Sequence, residues 1–135
     1  MIESLTINRS YMFAMQRHIN FEAPLEACGL LGGKNQVVSL VLAVKNAAES
    51  RVRFKMDPRA QLRAINQIED EGLELVAIFH SHPKGPSEPS ATDIAEAMYP
   101  VVNIIWSKAG RRWVARGFWI EGEKVQEVPL TVLDV

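Results

Sequence analysis

The sequence predicts an α+β fold in which a β-sheet is flanked by helices, and three observations support this. Apolar runs of strand length recur along the chain, and segments with helical spacing of apolar residues interrupt them. Several of the expected strands are joined by short turns, which favours hairpins over a doubly wound parallel sheet. The 135 residues are enough for one hydrophobic core, so we predict a single domain over residues 1–135.

The first half of the chain is expected to contain four strands and one helix. A short edge strand is predicted over 5–7 and a helix over 9–20, because the apolar residues of the second segment share one side. A strand over 26–33 is expected to pair with a valine-rich strand over 36–45 across a Gly-Gly-Lys-Asn turn. Residues 51–56 alternate charged and apolar side chains, which predicts a half-exposed strand near a sheet edge.

The second half begins with a well-marked helix. Asp57 followed by Pro58 is typical of a helix start, and the helix is expected to reach Gly72. Its apolar residues with helical spacing are predicted to be buried: Leu62, Ile65 and Ile68. Residues 73–82 are apolar on both faces until their end, which predicts a central strand.

The rest of the chain is expected to form one short helix and three strands. Ser90 can cap a helix that begins at Ala91 and ends near Met98, ahead of Pro100. Short turns then separate the expected strands, which span 101–107, 113–120 and 124–128. The chain therefore ends in hairpin-connected strands.

The composition is that of an ordinary globular protein, with 47% hydrophobic and 23% charged residues and a formal net charge of −1. This balance gives no electrostatic case for binding nucleic acid or an anionic membrane. The single cysteine, Cys28, excludes an internal disulfide and fits a reducing compartment. The amino terminus has no signal-peptide pattern and no apolar run has the length of a membrane span, so we expect a cytoplasmic protein.

A metal-binding pattern stands at the end of the central strand. His80 and His82 share one face of an extended chain, so both imidazoles reach the same region. The following loop is rich in proline and can return the carboxylate of Asp93 over that region. Two nitrogens and one anionic oxygen suit zinc and leave a fourth position for water. Glu26, in an apolar segment, also needs a cation or a bound water to explain its place.

Other polar residues have simpler explanations. Ser90 and Asp93 also match a helix capping pattern, but we expect Asp93 to bind the metal rather than the backbone. Ser81 should point into the sheet and form a hydrogen bond there, and His18 should be a packing or helix-surface residue. Cys28 is expected near the metal pocket as a small buried residue. The tryptophans are expected to pack in the core or at its edge: Trp106, Trp113 and Trp119.

The order Glu26, His80-Ser81-His82, Ser90 and Asp93 resembles the complete motif of the JAMM (MPN-plus) metalloproteases. The flanking segment Pro24–Gly32 is also similar to prokaryotic members, and the resemblance covers nearly the whole chain. It implies a curved sheet between helices, the MPN or cytidine-deaminase-like architecture. It also implies one zinc ion held by the two histidines and Asp93, a general base at Glu26 that deprotonates zinc-bound water, and a tetrahedral intermediate stabilised by Ser90.

The same resemblance implies a substrate class. Members of the family hydrolyse peptide or isopeptide bonds at the carboxyl terminus of ubiquitin-like proteins, so a ubiquitin-like or sulfur-carrier protein is the expected partner. The substrate tail is expected to add a strand along 51–56. Only residues 94–100 separate Asp93 from the next strand, which disfavours polyubiquitin specificity. Three points stay open: a homodimer, a non-catalytic MPN scaffold, and a non-haem iron oxygenase with the same three ligands.

Overall fold

A computed structural model describes residues 2–134 as an eight-stranded mixed sheet with helices on both faces, which agrees with the predicted α+β class. The elements are β1 (Leu5–Asn8), α1 (Arg9–Glu22), β2 (Cys28–Lys34), β3 (Val37–Val44), α2 (Pro58–Asp70), β4 (Glu74–His82), α3 (Ala91–Glu96), β5 (Val102–Ala109), β6 (Arg112–Glu121), β7 (Lys124–Val128) and β8 (Leu130–Leu133). The strand order is β7-β6-β5-β4-β2-β3-β1-β8. The prediction that residues 73–82 form a central strand is therefore confirmed.

The sheet has a hydrophobic core on each face, and strand β4 contributes side chains to both. It pairs antiparallel with β2 and parallel with β5, so its side chains alternate between the two sides of the sheet. Ala77 and Phe79 point into the core beneath α1, whereas Ile78 packs in the core beneath α2. By the same alternation His80 and His82 lie on the α2 side, and both residues are buried.

The helices contribute small apolar stripes to the two cores. Met15 and Ile19 of α1 are fully buried, and Ala64 and Ile68 of α2 are buried against the other face. The prediction that Leu62 is buried is wrong, because 59% of this residue is exposed. Each residue turns the helix by about 100°, so Leu62 points well away from the direction of Ala64. The described residues contain no helix that is long and apolar enough to cross a membrane.

Two predictions about sheet edges are wrong. The segment 51–56 forms no strand and contributes only an isolated bridge between Met56 and Asn46. Its backbone is held locally instead, because Asn46 binds the carbonyl of Arg53 and the N–H of Lys55. Strand β1 is not an edge strand, since β8, which the sequence did not suggest, pairs with it in parallel.

Two boundaries also differ from the prediction. The turn between β2 and β3 is formed by Asn35 and Gln36, both at positive φ, and not by the preceding glycines. Gly33 stays within β2, where an added Cβ would lie 1.9 Å from the carbonyl oxygen of Val37. Helix α3 ends at Glu96, two residues earlier than expected.

Candidate metal centre

Three ligand-type atoms converge where β4 ends and α3 begins. The Nε2 atoms of His80 and His82 are 3.1 Å apart, and Asp93 Oδ2 lies 3.1 Å from the first and 3.0 Å from the second. A tetrahedral zinc ion with bonds of about 2.0 Å needs ligand atoms separated by about 3.3 Å. The three atoms therefore have nearly the spacing that a shared ion requires.

The hydrogen bond of His82 Nδ1 determines the protonation of His82 Nε2 in the neutral imidazole. His82 Nδ1 lies 2.7 Å from the carbonyl oxygen of Pro86, which can only accept, so Nδ1 carries the proton and donates. In neutral His82 the Nε2 lone pair then faces the carboxylate of Asp93, and two acceptors this close require a cation. Burial lowers the pKa of His82, but hydrogen bonds with Asp93 and Pro86 raise it overall. In the absence of a metal ion, a proton on His82 Nε2 can satisfy the carboxylate of Asp93. The same nitrogen and oxygen atoms can instead bind a metal ion.

His80 is held by packing and not by a hydrogen bond at its second nitrogen. It is fully buried, and its Nδ1 has no hydrogen-bond partner among the described residues. The ring of Phe54 stacks on the imidazole, with centroids 4.4 Å apart. Burial lowers the pKa of His80 despite the nearby carboxylate of Asp93, which favours the neutral form that a metal ligand needs.

Asp93 contacts both the two histidines and the helix cap, whereas the sequence predicts a contact with the metal rather than with the backbone. Its Oδ2 faces both histidines and also accepts the backbone N–H of Ser90 at 2.8 Å, while Ser90 Oγ accepts the N–H of Asp93 at 3.0 Å. This capping box starts α3 and orients the carboxylate toward the centre. Burial opposes ionisation of Asp93, but the contacts with His80, His82 and Ser90 hold its pKa well below the usual range.

Glu26 lies near the three ligand-type atoms of His80, His82 and Asp93 but forms no hydrogen bond with them. It precedes β2 and is not part of the strand, which differs from the prediction, and it is 2% exposed. Single ligand-type atoms of Glu26, His80 and His82 all lie within 4.8 Å of one another. Its Oε1 is buried and has no hydrogen-bond partner among the described residues. Burial is the main cause that raises its pKa to about 7. The charge of His82 opposes this shift, and the charge of Asp93 adds to it.

Neighbouring residues fix the backbone around Glu26. Ser81 Oγ accepts the N–H of Ala27 at 2.8 Å, and the carbonyl of Ala27 accepts the N–H of Ser81 at 3.0 Å. The prediction that Ser81 points away from the histidines and forms a hydrogen bond within the sheet is confirmed. On the other side, the N–H of Glu26 donates to the carbonyl of Ser50 at 2.7 Å.

Asn46 connects Glu26 to the segment 53–55, and sequence reasoning missed it. Its Nδ2 donates to the carbonyls of Glu26 at 3.0 Å and Arg53 at 3.2 Å. Its Oδ1 accepts the N–H groups of Ala48 at 3.0 Å and Lys55 at 2.9 Å. The sequence shows only an asparagine in a polar connection, and no local pattern reveals contacts so far along the chain.

Arg116 on β6 is a second residue that the sequence did not single out. It donates to Ser87 Oγ at 2.8 Å and forms a two-pronged ion pair with Glu127 on β7. Ser87 belongs to the loop between His82 and Ser90. The arginine therefore ties that loop, which brings Asp93 to the histidines, to the neighbouring strands.

The remaining polar candidates are structural. Cys28 is buried in the α2-side core, and burial raises the pKa of its thiol to about 12. The ring of His18 packs edge-on against Phe79, with centroids 6.2 Å apart, and burial lowers its pKa. Trp106 and Trp113 are buried in the α1-side core and Trp119 packs against it, as predicted.

A cleft of about 670 Å³ opens beside Asp93. One wall is the segment from Arg53 to Met56, continued by Pro58 and Gln61 of α2. The other wall runs from Ala95 to Tyr99, at the end of α3 and beyond it. The cleft therefore connects the solvent with the edge of the candidate metal centre.

Comparison with known families decides the classification. The family described as prokaryotic homologs of the JAB domain matches residues 9–120, which is most of the chain. The chain belongs to this family. The resemblance to JAMM (MPN-plus) proteins that the motif indicated is thus confirmed.

Two curated relatives of this JAB-family chain extend over almost all of it. It is 38% identical over 130 residues to a probable TtuB-protein conjugate cleaving protease of Thermus thermophilus, covering 96% of this chain and 83% of the relative. It is 35% identical over 133 residues to a desampylase of Pyrococcus furiosus, covering 96% of this chain and 91% of the relative. Both relatives are named for cleaving activities.

Solved structures show the same fold. A solution structure of a Desulfitobacterium hafniense protein has a TM-score of 0.87 and 34% identity, covering 97% of this chain and 94% of the other. A JAB1/MPN domain protein of Archaeoglobus fulgidus has a TM-score of 0.62 at 19% identity, covering 98% of this chain and all of the other. The curved sheet between helices predicted from the motif is therefore confirmed.

Proposed function

We propose that this JAB-family protein is a zinc-dependent peptidase that cleaves peptide or isopeptide bonds at the carboxyl terminus of a ubiquitin-like or sulfur-carrier protein. One observation carries the proposal: three ligand-type atoms 3.0–3.1 Å apart adjoin a buried glutamate with an unpaired oxygen. The cleft beside Asp93 gives a peptide access to this place. The conjugate-cleaving protease and the desampylase among its relatives support the substrate class.

The ligand set supports zinc in particular. His80 and His82 supply neutral nitrogens and Asp93 an anionic oxygen, and three protein ligands leave one tetrahedral position open. Zinc bound there would lower the pKa of water to about 7 and polarise the substrate carbonyl. Pro86 maintains the tautomer that leaves His82 Nε2 free to bind, and the capping box orients Asp93.

Glu26 and Ser90 supply the proton transfer and charge stabilisation. A carboxylate near the attacking water can take its proton and later deliver it to the leaving amine. Burial raises the pKa of Glu26, which favours acceptance of the proton from the water. Ser90 Oγ accepts one N–H from Asp93, so its own hydrogen remains available to donate to the oxyanion of the tetrahedral intermediate.

The test separates metal binding from proton transfer. We expect Glu26→Gln to retain zinc and lose cleavage of a carboxyl-terminal fusion to a ubiquitin-like protein by at least about a hundredfold, as loss of a general base predicts. His80→Ala and Asp93→Ala should lose both zinc and cleavage. Zinc content is measured by elemental analysis and cleavage by gel shift. Full activity of Glu26→Gln would remove Glu26 from the mechanism.

An iron oxygenase would use the same three ligands, but it leaves the unpaired carboxylate of Glu26 without a task. Protein purified without added metal distinguishes the two enzyme classes. We expect zinc and chelator-sensitive cleavage, with no iron and no oxygen consumption. A protein that binds zinc but cleaves no fusion at all would instead be a non-catalytic scaffold.

A further inference from the structure

Positive charge is concentrated beside the cleft, although the whole chain has a net charge of −1. The thirteen residues from Arg51 to Arg63 contain five basic side chains and one acidic side chain, a formal charge of +4. All five basic residues are exposed, and we call them the basic surface: Arg51, Arg53, Lys55, Arg59 and Arg63. Within residues 2–134 none of them forms an ion pair with an acidic side chain.

These charges are not explained by the stability of α2. A helix favours acidic side chains in its first turn and basic ones in its last, because of its macrodipole. Helix α2 has neither: Arg59 lies in its first turn, and Glu69 and Asp70 lie in its last. The sole acid in this stretch, Asp57, is engaged as the helix cap and accepts the N–H of Ala60. The arrangement costs helix stability, so a reason outside the helix is needed.

The basic surface is continuous with the cleft. Arg53 and Lys55 line one wall of the cleft, Asp93 and Glu96 line the cleft as well, and Arg59 and Arg63 follow on the exposed side of α2. Phe54 and Asn46 hold this wall in place, through stacking on His80 and hydrogen bonds to Arg53 and Lys55. The backbone at Arg53 and Lys55 therefore has a fixed position relative to the candidate metal centre.

The size of the cleft determines what remains outside it. A volume of about 670 Å³ is that of a small-molecule pocket, which can take a few peptide residues but no folded domain. The body of a protein substrate must then rest on the rim. Val52 and Leu62, both largely exposed, add apolar area among the basic residues, as in an interface with an apolar centre and a polar rim.

We infer that the basic surface docks the folded body of the substrate, an acidic ubiquitin-like protein, while its carboxyl-terminal tail enters the cleft. This inference rests on the proposed function and names the chemistry of the substrate face that the enzyme recognises. Complementary charge of this kind acts mainly on encounter and orientation, so it should affect KM far more than kcat. A nucleic acid is the alternative polyanion, and the test below distinguishes the two.

The key variant is Arg59→Glu/Arg63→Glu, since both residues lie outside the cleft. The acid at position 59 would stand in the first turn of α2, where the macrodipole favours it, and the like-charge pair at positions 59 and 63 is present in both proteins, so the variant should melt at about the same temperature as the wild type. A loss of binding cannot then be ascribed to unfolding. The matched control is Arg17→Glu/Lys34→Glu, which changes the charge by the same amount. Arg17 lies on α1, on the opposite face of the sheet, and Lys34 is the last residue of β2.

The probe is TtuB of Thermus thermophilus labelled with a fluorophore, and its binding is measured by fluorescence anisotropy. All enzyme variants in this assay also carry Glu26→Gln, so that the measurement does not depend on turnover. We expect Arg59→Glu/Arg63→Glu to weaken binding at least about tenfold, and a rise from 50 to 300 mM salt to weaken wild-type binding at least about fivefold. The control variant should bind like the wild type. If acidic residues of TtuB form the docked face, their replacement by lysine should restore binding to the charge-reversed enzyme.

Turnover separates this inference from the proposed function. With the active enzyme, a TtuB fusion should lose at least about tenfold in kcat/KM through KM, whereas a short peptide carrying the same tail should change less than twofold. If neither substrate is cleaved by the wild type, the proposed function fails. If the fusion is cleaved but charge reversal and salt leave its binding unchanged, the docking inference is overturned. Tighter binding of a single-stranded oligonucleotide than of TtuB would also overturn it.

Discussion

The hydrogen bond between Ser81 and Ala27 should stabilise both the sheet and the position of Glu26. Ser81 Oγ accepts the N–H of Ala27 at 2.8 Å, and both residues are fully buried. In Ser81→Ala the hydroxyl is lost and no described side chain is placed to replace it. The N–H of Ala27 is then left buried without a partner, directly after Glu26 in the chain.

The expected cost follows from that orphaned group. A buried donor without a partner costs about 1–3 kcal/mol, which exceeds the net gain of about 1 kcal/mol from an average hydrogen bond. We therefore expect Ser81→Ala to lower the free energy of unfolding by about 1–3 kcal/mol. The backbone at Glu26 should also loosen, and a displacement of a catalytic group well below 1 Å is enough for a loss of about tenfold in kcat.

Urea unfolding followed by tryptophan fluorescence measures the first effect, and an unchanged m-value would show that the folded state stays compact. The control is Ser39→Ala, an exposed serine of β3, which should change the free energy of unfolding by less than about 0.5 kcal/mol. The reasoning is refuted if Ser81→Ala matches this control in stability, or if its kcat on a ubiquitin-like fusion equals that of the wild type.

Three further predictions concern the metal and its surroundings. Asn46→Ala removes four hydrogen bonds, three of which join Glu26 to Arg53 and Lys55 of the cleft wall, so kcat/KM on a ubiquitin-like fusion should fall at least about tenfold while zinc content stays constant. Added zinc should raise the thermal midpoint of the wild type, because a ligand that binds only the folded state stabilises it, but should leave that of Asp93→Ala unchanged. Cys28 should resist iodoacetamide at pH 8 until urea unfolds the protein, because burial raises its pKa to about 12 and shields its sulfur. Modification of the native protein within minutes would contradict this last expectation.

Predictions based on alternation along β4 were accurate. The residues of a strand point to opposite faces in turn, so the sequence alone places His80 and His82 together and Ser81 apart. The return of Asp93 could be anticipated from the stiff, proline-rich loop, whereas its simultaneous contact with the helix cap could not. These parts of the site depend on local rules.

The errors arose where distant contacts override a local pattern. Residues 51–56 alternate like a strand, but Asn46 satisfies the backbone groups that a neighbouring strand would have paired. Leu62 has helical spacing with Ile65, yet the sheet contacts α2 through the smaller Ala64. Strand β8 is too short to be recognised without its partner β1. None of these contacts can be read from a window of the sequence.

The position of Asp93 in both the helix cap and the candidate metal centre has an evolutionary consequence. An asparagine at this position keeps an oxygen that can accept the N–H of Ser90, so α3 could still begin where it does, while the negative charge that favours a cation would be gone. A single conservative exchange would thus abolish metal binding and preserve the fold. A non-catalytic scaffold protein could therefore evolve from such an enzyme without a destabilised intermediate.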